Sequence, residues 1–547
     1  MSETFTHIIV GAGSAGCLLA NRLSARPTNN VLLIEAGDWD RSLWMKLPVG
    51  YFKTMVNPNV SHRFATEAHE GTAGRAIDWP RGRVIGGSSS INGLVFIRGQ
   101  RENFDRWSEL GATGWSFDDV LPYFRRLESF AGGPSQLRGS HGELQVSELR
   151  NDHPYCDAWT DAGVQYGLPR NEDFNGESTF GVGRYSVTLG KRFRSSSARA
   201  FLYPALKRKN LTVITKARVQ KVRIEDGRAV GVAFAREAEH MTANATREVI
   251  LSAGAIQSPQ VLQLSGIGPA EILTKYGIPV VVNNPSVGGN LQDHYQMRTI
   301  VKLHKKMSLN NDVRNPIKLA QMGLDWLLRG RGPLTSGAGQ VGGAARTKHA
   351  PNNQPDVQLN IMPLSVDKPG EPLHRYPGFT AAVWQCHPQS RGRVDLKSHD
   401  PDVDPVISPN YLSTELDRNT LVEGIKMLRE IYRQPAFAEL WETEMVPGGH
   451  VSSDAEILNS ARQMGGTVFH CVGTCRMGSD DAAVVGPDLK VRGLDGLRVV
   501  DASVMPEVTS ANTNAPTLMI AEKAADMILN DDASKPLRSA THGLQTP

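Results

Sequence analysis

The segment at residues 468–478, VFHCVGTCRMG, places His470 beside Cys471 and Cys475 in a short apolar run. This combination suits a metal site, a redox pair of thiols or a general base. A structural zinc site needs four nitrogen or sulfur ligands; this segment offers three, and in a strand two of them would point to opposite faces. Redox cysteines are usually spaced C-x-x-C. We therefore expect two buried thiols that act as small apolar groups, and a histidine that is either a core residue or a base.

A glycine pattern near the N-terminus predicts a dinucleotide site. Gly11, Gly13 and Gly16 form G-x-G-x-x-G between a strand and a helix, where backbone can approach a pyrophosphate. Glu35 ends the next strand, where a carboxylate accepts ribose hydroxyls. A simple tight turn is the alternative, and the pattern does not choose FAD over NAD. The contacts predicted in this unit are Gly11, Gly13, Ser14, Ala15, Gly16, Glu35 and Ala36.

The elements around these residues predict an α/β chain, α+β overall, of more than one domain. The length of 547 residues is too great for one hydrophobic core. Residues 1–37 form a βαβ unit, and residues 211–254 alternate as strands. We expect a Rossmann-like FAD-binding domain with an inserted substrate-binding domain built on an antiparallel sheet with helices. The predicted limits are 1–155, 205–300 and 465–535 for the first, 156–204 and 301–464 for the second, and 536–547 for a loose tail.

Composition excludes several classes of partner. Net charge is +4, from 60 basic and 56 acidic residues, without a block of like charges, so nucleic acid is not expected as a partner. Five cysteines are few and odd in number, which favours a reducing compartment. The N-terminus lacks the features of a signal peptide, and no run approaches the roughly 18 apolar residues of a transmembrane helix. We expect a cytoplasmic protein.

Two long motifs resemble a known family. Residues 82–105, GRVIGGSSSINGLVFIRGQRENFD, match the first signature of the glucose-methanol-choline oxidoreductases, and residues 254–268, GAIQSPQVLQLSGIG, match the second. The resemblance continues through SVGGNLQDH at 286–294, the His470 segment and residues 512–528. It covers the chain to about residue 530 and implies an FAD enzyme that oxidises alcohols, similar to the bacterial alcohol and choline dehydrogenases.

The resemblance also implies where the cofactor lies. It places Val84, Gly87, Asn92 and Val95 along the flavin and Val219 near the adenine, although Val84 and Val95 could equally be core. Some members tether FAD through a histidine where this chain has Ile91, so we expect non-covalent FAD. Further cofactor contacts implied by the resemblance are Arg83, Ser88, Gly93, Ala253, Gly254, Asp501, Ala502, Asn514 and Thr517.

His470 becomes the expected catalytic base under this resemblance. In the family the histidine of H-x-x-G-T-x-x-M-G lies over flavin N5, and His470 matches it. Hydride can leave an alcohol carbon only as charge builds on its oxygen, so a neutral imidazole must accept the hydroxyl proton. The family's second polar partner falls on Asn512, with Asn514 as the fallback. The helix near Pro516 would point its positive end at the flavin pyrimidine ring.

The substrate and acceptor are less constrained. Choline-type members carry a glutamate where this chain has Gln340, and a neutral amide forfeits the pairing that a cation favours. We expect a small neutral primary alcohol, in a pocket that Phe469, Trp384 and Trp441 could line. The electron acceptor, a quinone, a cytochrome or O₂, stays open. Alternatives are an oxidase that produces peroxide, a choline dehydrogenase, a non-oxidising flavoprotein and an NAD-dependent dehydrogenase; a metal is not expected.

Overall fold

The first of the two large sheets, the nucleotide sheet, is mainly parallel. The computed structural model describes residues 3–237, 239–368 and 370–534. Glu3–Val10 pairs in parallel with Val31–Ile34 on one side and with Glu239–Leu251 on the other. Both central strands are runs of buried apolar residues, as expected for strands covered on both faces. In spatial order the strands are Ala217–Glu225, Arg228–Arg236, Glu239–Leu251, Glu3–Val10, Val31–Ile34 and Leu211–Ile214, with Leu497–Val499 beside Glu239–Leu251.

The second sheet, the substrate sheet, is antiparallel. Its strands alternate in direction around Tyr295–Leu303 and Gly378–Gln385, which pair over most of their length. One face packs on the helix Glu415–Tyr432 and encloses a second hydrophobic core. In spatial order the strands are Trp441–Val446, Tyr295–Leu303, Gly378–Gln385, Val357–Met362, Val341–Ala345 and Gly181–Arg184, with Gly466–Thr467 beside Tyr295–Leu303.

Helices cover both sheets. Ser14–Ser24 starts at the glycine turn and packs against the C-terminal helix Asn514–Ser534, which has Pro516 in its first turn. The other long helices are Arg101–Glu109, Phe117–Leu127, Pro154–Tyr166, Gly254–Leu264, Pro316–Arg329, Glu415–Tyr432 and Asp454–Met464. The short helices are Leu43–Lys46, Tyr51–Thr54, Tyr203–Ala205, Ala270–Lys275, Leu309–Asp312 and Pro435–Ala438. The remaining strands are Ser61–Ala65, Asp78–Gly82, Glu128–Phe130, Leu144–Glu148, Ser186–Val187, Ile267–Gly268, Val282–Asn283, Arg393–Asp395 and Val406–Ser408.

The predicted fold class is confirmed by these two sheets. The domain limits stay a prediction, and Tyr295–Leu303 crosses the one placed between residues 300 and 301 because the whole strand belongs to the substrate sheet. The tail predicted at 536–547 lies outside the described residues. Within the described ranges, no helix combines the length and apolarity needed to cross a bilayer.

A buried ion network anchors the segment that carries the first signature. Glu128 is fully buried and accepts hydrogen bonds from Arg98 and Arg138, while Arg138 also pairs with Asp173 at 2.7 Å. Two buried guanidinium groups would be expensive to leave without their carboxylates. The network therefore ties residue 98 to the segments around residues 128, 138 and 173.

Replacing Glu128 by glutamine should destabilise the fold strongly. Glu128→Gln keeps the shape of the side chain but leaves Arg98 and Arg138 without a buried counter-charge, so we expect the free energy of unfolding to fall by about 3–5 kcal/mol. Urea denaturation followed by circular dichroism measures this. The control is Asp118→Asn, which removes the exposed partner of Arg101 and should cost less than about 1 kcal/mol. Equal losses in the two variants would contradict the prediction.

Candidate active site

One continuous cavity extends from the glycine turn to one face of the substrate sheet. Gly11 adopts φ +98°, and a Cβ at Gly16 would lie 1.9 Å from the Gly11 carbonyl oxygen, so the helix approaches the turn only because Gly16 has no side chain. A Cβ at Gly87 would lie 2.7 Å from the Gly13 Cα. The glycine turn and the first signature therefore meet backbone to backbone at the cavity wall.

Glu35 lies at the nucleotide end of the cavity. Its two carboxylate oxygens accept hydrogen bonds from the backbone amides of Ala12, at 2.9 Å, and Gly37, at 2.8 Å. Burial raises the pKa of Glu35 to about 6, and these amides and the charge of Arg83 oppose that rise. Each oxygen has further acceptor capacity, so the carboxylate can still receive hydroxyl donors from a ligand.

Most of the predicted cofactor contacts lie on this cavity. The exceptions are Gly16, which packs helix on strand, and Val84, which is buried and bridges to the strand-like backbone of Asp38. Val84 is therefore a core residue in this geometry and does not face the cavity. The predicted residues that line it are Gly11, Gly13, Ser14, Ala15, Glu35, Ala36, Arg83, Gly87, Ser88, Asn92, Gly93, Val95, Val219, Ala253, Gly254, Asp501, Ala502, Asn514 and Thr517, together with His470 and Asn512.

The hydrogen bonds around His470 define its tautomer. His294 Nε2 lies 3.1 Å from the Cys386 carbonyl oxygen, which can only accept, so this nitrogen carries the proton. His294 Nδ1 is then an acceptor, and it lies 2.9 Å from His470 Nδ1. His470 therefore donates from Nδ1, which leaves the lone pair on Nε2, the assignment following from these partners. His470 lines the cavity, and its Nε2 is the atom able to accept a proton.

Asn512, rather than Asn514, contacts the base. Asn512 Nδ2 lies 3.1 Å from His470 Nε2, and among the described residues its buried Oδ1 has no hydrogen-bond partner. Asn514 begins the C-terminal helix, and its Oδ1 accepts a hydrogen bond from Ser14 at 2.8 Å. Thr513 and Thr517 also line the cavity, so the start of this helix faces it.

His470 is neutral at physiological pH. Burial lowers its pKa well below the ordinary value, and His294 and the charge of Arg81 lower it further. Burial likewise lowers the pKa of His294, to about 3. The two imidazoles are therefore neutral and joined by one hydrogen bond. A neutral imidazole is the form of histidine that can accept a proton.

Sequence reasoning missed two residues that hold the base, Asp293 and His294. Asp293 accepts hydrogen bonds from the His470 backbone amide at 2.7 Å, from the Thr467 hydroxyl at 2.6 Å and from the Tyr411 hydroxyl. Both residues close the motif NLQDH, which the sequence comparison had singled out only as a family resemblance. Adjacent buried polar residues at the start of a strand were the available signal.

The two cysteines of the opening segment are free and buried, as expected. Cys471 Sγ accepts a hydrogen bond from Arg81 at 2.7 Å, and the same guanidinium donates to the Phe469 carbonyl oxygen at 2.8 Å. Among the described residues, no group of three or more His, Cys, Asp or Glu side chains could hold a metal ion. Arg81 instead holds the two neighbours of His470, Phe469 through its carbonyl oxygen and Cys471 through its thiol.

The substrate end of the cavity is more polar than predicted. Alternate residues of the substrate sheet face it, and these are Gln296, Arg298, Gln358, Asn360, Met362 and Trp384. Phe469 lines the cavity as well. Trp441 instead donates to the Tyr432 carbonyl oxygen in the second core. Gln340 is buried outside the lining, where its amide contacts Cys156 and Ser336. Gln340 therefore does not contact the cavity, and the charge preference inferred from it has no structural basis.

Comparison with known proteins identifies the family. Two family models described as GMC oxidoreductase match residues 5–296 and 388–521. The chain belongs to the GMC oxidoreductase family. It is therefore an FAD-binding oxidoreductase, as the resemblance implied.

Similar sequences and structures extend over the whole chain. The alcohol dehydrogenase [acceptor] of Pseudomonas putida is 41% identical over 96% of both chains, and the mitochondrial choline dehydrogenase of Homo sapiens is 40% identical over 97% of this chain and 91% of its own. The crystal structure of pyridoxine 4-oxidase from Mesorbium loti superposes with a TM-score of 0.87 at 30% identity, covering 97% of this chain and 99% of the other. The Aspergillus oryzae formate oxidase reaches 0.90 at 26% identity, covering 97% and 99%.

The lowered pKa of His470 predicts the pH dependence of flavin reduction. A base whose pKa in the folded protein is depressed stays unprotonated at every pH above that value, so the reduction rate should not fall between pH 8 and about 6.5, the ordinary histidine value, and should decline only in more acidic solution. Stopped-flow absorbance of the flavin under anaerobic conditions measures this rate.

His399→Gln, which removes an exposed histidine, is the control and should leave the profile unchanged. An inflection at or above the ordinary histidine value that persists in this variant would mean that the base is not depressed.

Proposed function

We propose that this protein oxidises a primary alcohol to an aldehyde, with His470 as the general base and Asn512 as its partner on the alcohol oxygen. One observation carries the proposal. His470 Nε2 and the Asn512 amide lie 3.1 Å apart on the cavity wall, and His294 fixes the opposite ring nitrogen of His470 as the donor. The two groups are hydrogen-bonded to each other at one point of the cavity, and an alcohol hydroxyl that takes the place of this hydrogen bond can donate to Nε2 and accept from the amide.

The donor set along the cavity fits FAD. Gly11, Gly13 and Gly254 offer bare backbone, Glu35 offers acceptors for ribose hydroxyls, and the helix that starts at Asn514 offers its positive end. When bound, FAD supplies the acceptor for the hydride that leaves the alcohol carbon. We propose that it is held without a covalent bond, since Ile91 lines the cavity where some family members carry a tethering histidine.

The proton is handled by residues of the chain. His470 Nε2 accepts the hydroxyl proton, and the resulting imidazolium keeps its Nδ1 hydrogen bond to His294. Because the carbon–hydrogen bond breaks with its electron pair as negative charge grows on the oxygen, proton removal must accompany it. The Asn512 amide donates a hydrogen bond to that oxygen, and stabilisation of developing charge by a fixed donor is most effective in a site that excludes water.

We favour a dehydrogenase over an oxidase. The P. putida and human relatives, at 41% and 40% identity, are both named dehydrogenases, whereas the pyridoxine and formate oxidases are 30% and 26% identical. The name of the P. putida relative, which includes the word acceptor, supports a quinone or a cytochrome as the electron acceptor, while relatives named oxygen-dependent choline dehydrogenase, at 40% and 39% identity, make O₂ the alternative. Steady turnover of an alcohol with air as the sole acceptor would decide for the oxidase.

Removal of His470 should abolish most of the reaction while FAD remains bound. Loss of a positioned general base costs about 10²–10⁴-fold, so His470→Ala should reduce its flavin at least about 100 times more slowly than the wild type under anaerobic mixing with benzyl alcohol. Asn512→Ala should be slowed less, since water can replace one neutral donor.

The flavin spectrum verifies that each variant retains FAD, and His399→Ala is the matched control on the surface. Flavin reduction by His470→Ala at the wild-type rate would rule out His470 as the base.

A further inference from the structure

Arg298 brings a positive charge to the substrate end of the cavity. It lies on the strand Tyr295–Leu303 two positions after Gln296, and both line the cavity because alternate residues of a strand share a face. Thr299, the next residue along the strand, faces the opposite side of the sheet. Its hydroxyl group forms a hydrogen bond of 2.6 Å with the Tyr432 hydroxyl. The strand therefore fixes the direction of Arg298.

The guanidinium of Arg298 has no counter-charge. Among the described residues, no group forms a hydrogen bond or an ion pair with it. Arg81 and Arg194, which are near the same cavity, are both occupied, Arg194 by the Met45 carbonyl and the Asn92 side chain. Burial lowers the pKa of Arg298, but a guanidinium keeps its charge at neutral pH. An unpaired cation in a part-buried position lowers the stability of the protein, and an anionic ligand that pairs with it would offset this loss.

The surroundings of Arg298 are neutral and polar. The carboxylates among the described lining residues, Glu35 and Asp501, accept hydrogen bonds from backbone amides near the glycine turn and Gly254. Gln358 Oε1 and Asn360 Oδ1 are buried at the substrate end without partners in the described chain. No carboxylate among the described lining residues is therefore available to neutralise Arg298. Its guanidinium can pair with an anionic group of a ligand.

Arg298 lies beyond the reacting position rather than at it. Gln296 is the register partner of Trp384, whose ring centroid is 6.3 Å from that of His470. Arg298 follows Gln296 by two residues, roughly 7 Å further along the strand. An anion bound at Arg298 would therefore lie several bonds away from the alcohol carbon that faces His470.

We propose that Arg298 binds a carboxylate of the substrate, so that the alcohol is a hydroxy acid rather than a neutral alcohol. The proposal rests on the proposed function and names its substrate class. A planar guanidinium suits a carboxylate through two parallel hydrogen bonds. The same charge repels a quaternary ammonium group, so choline is rejected because of Arg298, not because of Gln340.

A matched set of substrates tests this. Flavin reduction is followed anaerobically with 4-(hydroxymethyl)benzoate, benzyl alcohol, 4-(hydroxymethyl)phenyl phosphate and choline. Loss of one partner of a buried charge pair typically costs enough to change affinity about 30-fold or more. The wild type should therefore prefer the carboxylate over benzyl alcohol by at least that factor in kcat/KM. Arg298→Met should abolish the preference with little effect on benzyl alcohol, and Arg298→Lys should restore part of it.

Lys53→Met, which removes an exposed cation that stacks on Trp44 at 4.1 Å, is the control and should keep the preference. Reduction by benzyl alcohol without preference for the carboxylate, or a preference that survives Arg298→Met, would overturn the proposal while the proposed function stands. An Arg298-dependent preference for the phosphate would overturn the carboxylate assignment. If none of these alcohols reduces the flavin, the proposed function fails as well.

A separate surface carries a second inference. The helix Pro316–Arg329, here the leucine helix, is described throughout and has no buried residue. Large apolar side chains point outward from it, with Ile317 69% and Leu328 66% exposed and Leu324 and Leu327 both 56% exposed. Scattered exposed leucines are ordinary, but a contiguous group on one helix marks an interaction surface.

The charges around the leucine helix are predominantly basic. Residues 305–331 carry six exposed basic side chains, namely Lys305, Lys306, Arg314, Lys318, Arg329 and Arg331. The acidic residues of this segment are Asp312 and Asp325, and each pairs with one of these bases, Lys318 or Arg329. A basic helix with exposed apolar residues complements a surface that combines anionic groups with hydrocarbon.

The leucine helix lies at the substrate end of the cavity. Met322, on its inner side, packs against the cluster that contains Val366 and Met362, and both of these residues line the cavity. Phe52 belongs to the same cluster and the same lining. A partner that covers this helix would therefore lie next to the substrate end of the cavity.

We infer that the leucine helix docks on the surface of an anionic phospholipid bilayer. Its apolar residues would enter the acyl boundary while the lysines and arginines that flank the helix contact headgroups, a peripheral attachment that needs no transmembrane segment. The occupant is a membrane rather than another protein because exposed bases outside the two ion pairs, Lys305, Lys306, Arg314 and Arg331, lie on both sides of the apolar group.

Vesicle sedimentation tests the attachment. The holoenzyme should sediment with vesicles of equal phosphatidylglycerol and phosphatidylcholine, and not with phosphatidylcholine alone. Leu327→Gln combined with Leu328→Gln removes two leucine side chains that would be buried in the bilayer. The double substitution should lower the partition coefficient at least about tenfold. Flavin reduction by a water-soluble alcohol should not change. Val280→Gln with Val281→Gln, which alters exposed valines elsewhere, is the control and should bind like the wild type.

Two outcomes would overturn the membrane assignment. One is wild-type binding that is absent, or equal on neutral and anionic vesicles. The other is a dimer, seen by sedimentation velocity without lipid, that the leucine substitutions convert to monomer, since a second copy would then cover the helix.

Discussion

The active site depends on one proton, held between two histidines. The Cys386 carbonyl fixes the donor nitrogen of His294, and His294 then fixes the donor nitrogen of His470, so that Nε2 of His470 carries its lone pair into the cavity. Reversal of either tautomer would present a donor where the alcohol needs an acceptor. The state of His470 that the proposed function requires is therefore set by the Cys386 carbonyl, which follows the strand Gly378–Gln385, through two hydrogen bonds.

Residues 293–298 both position His470 and supply side chains to the substrate end of the cavity. Asp293 accepts the His470 amide, His294 orients its ring, and the strand that starts at Tyr295 brings Gln296 and Arg298 to the cavity. On the other side, Phe469 adopts φ +67°, a left-handed conformation that a bulky residue takes only under constraint. Both ends of the peptide group that follows it are held, because Arg81 donates to the Phe469 carbonyl oxygen and Asp293 accepts from the His470 amide. The substrate sheet thus determines both the position of the base and the polarity of the pocket.

Residues with local roles could be predicted from the sequence, whereas residues with long-range roles could not. Gly11, Gly13, Gly16 and Glu35 belong to one βαβ unit, whose spacing alone places them. His470 and Asn512 were found through the family resemblance, because nothing local joins residues 42 positions apart. Which way a side chain points was harder to predict: Val84 is buried although Arg83 beside it lines the cavity, Gln340 is buried two positions after the lining residue Ala338, and Arg298 shows only a strand alternation that many strands share.

The low pKa of His470 raises a physical question, because a depressed pKa makes a weaker proton acceptor. The charge of Arg81 that helps to lower it acts on the neighbouring alcohol in the same way, since a nearby cation favours an oxygen with negative charge just as it disfavours a protonated imidazole. The charge of Arg81 therefore lowers the pKa of the alcohol together with the pKa of the histidine. What the part-buried cation adds is stabilisation of the oxygen at the moment when charge develops on it, which is where catalysis gains most.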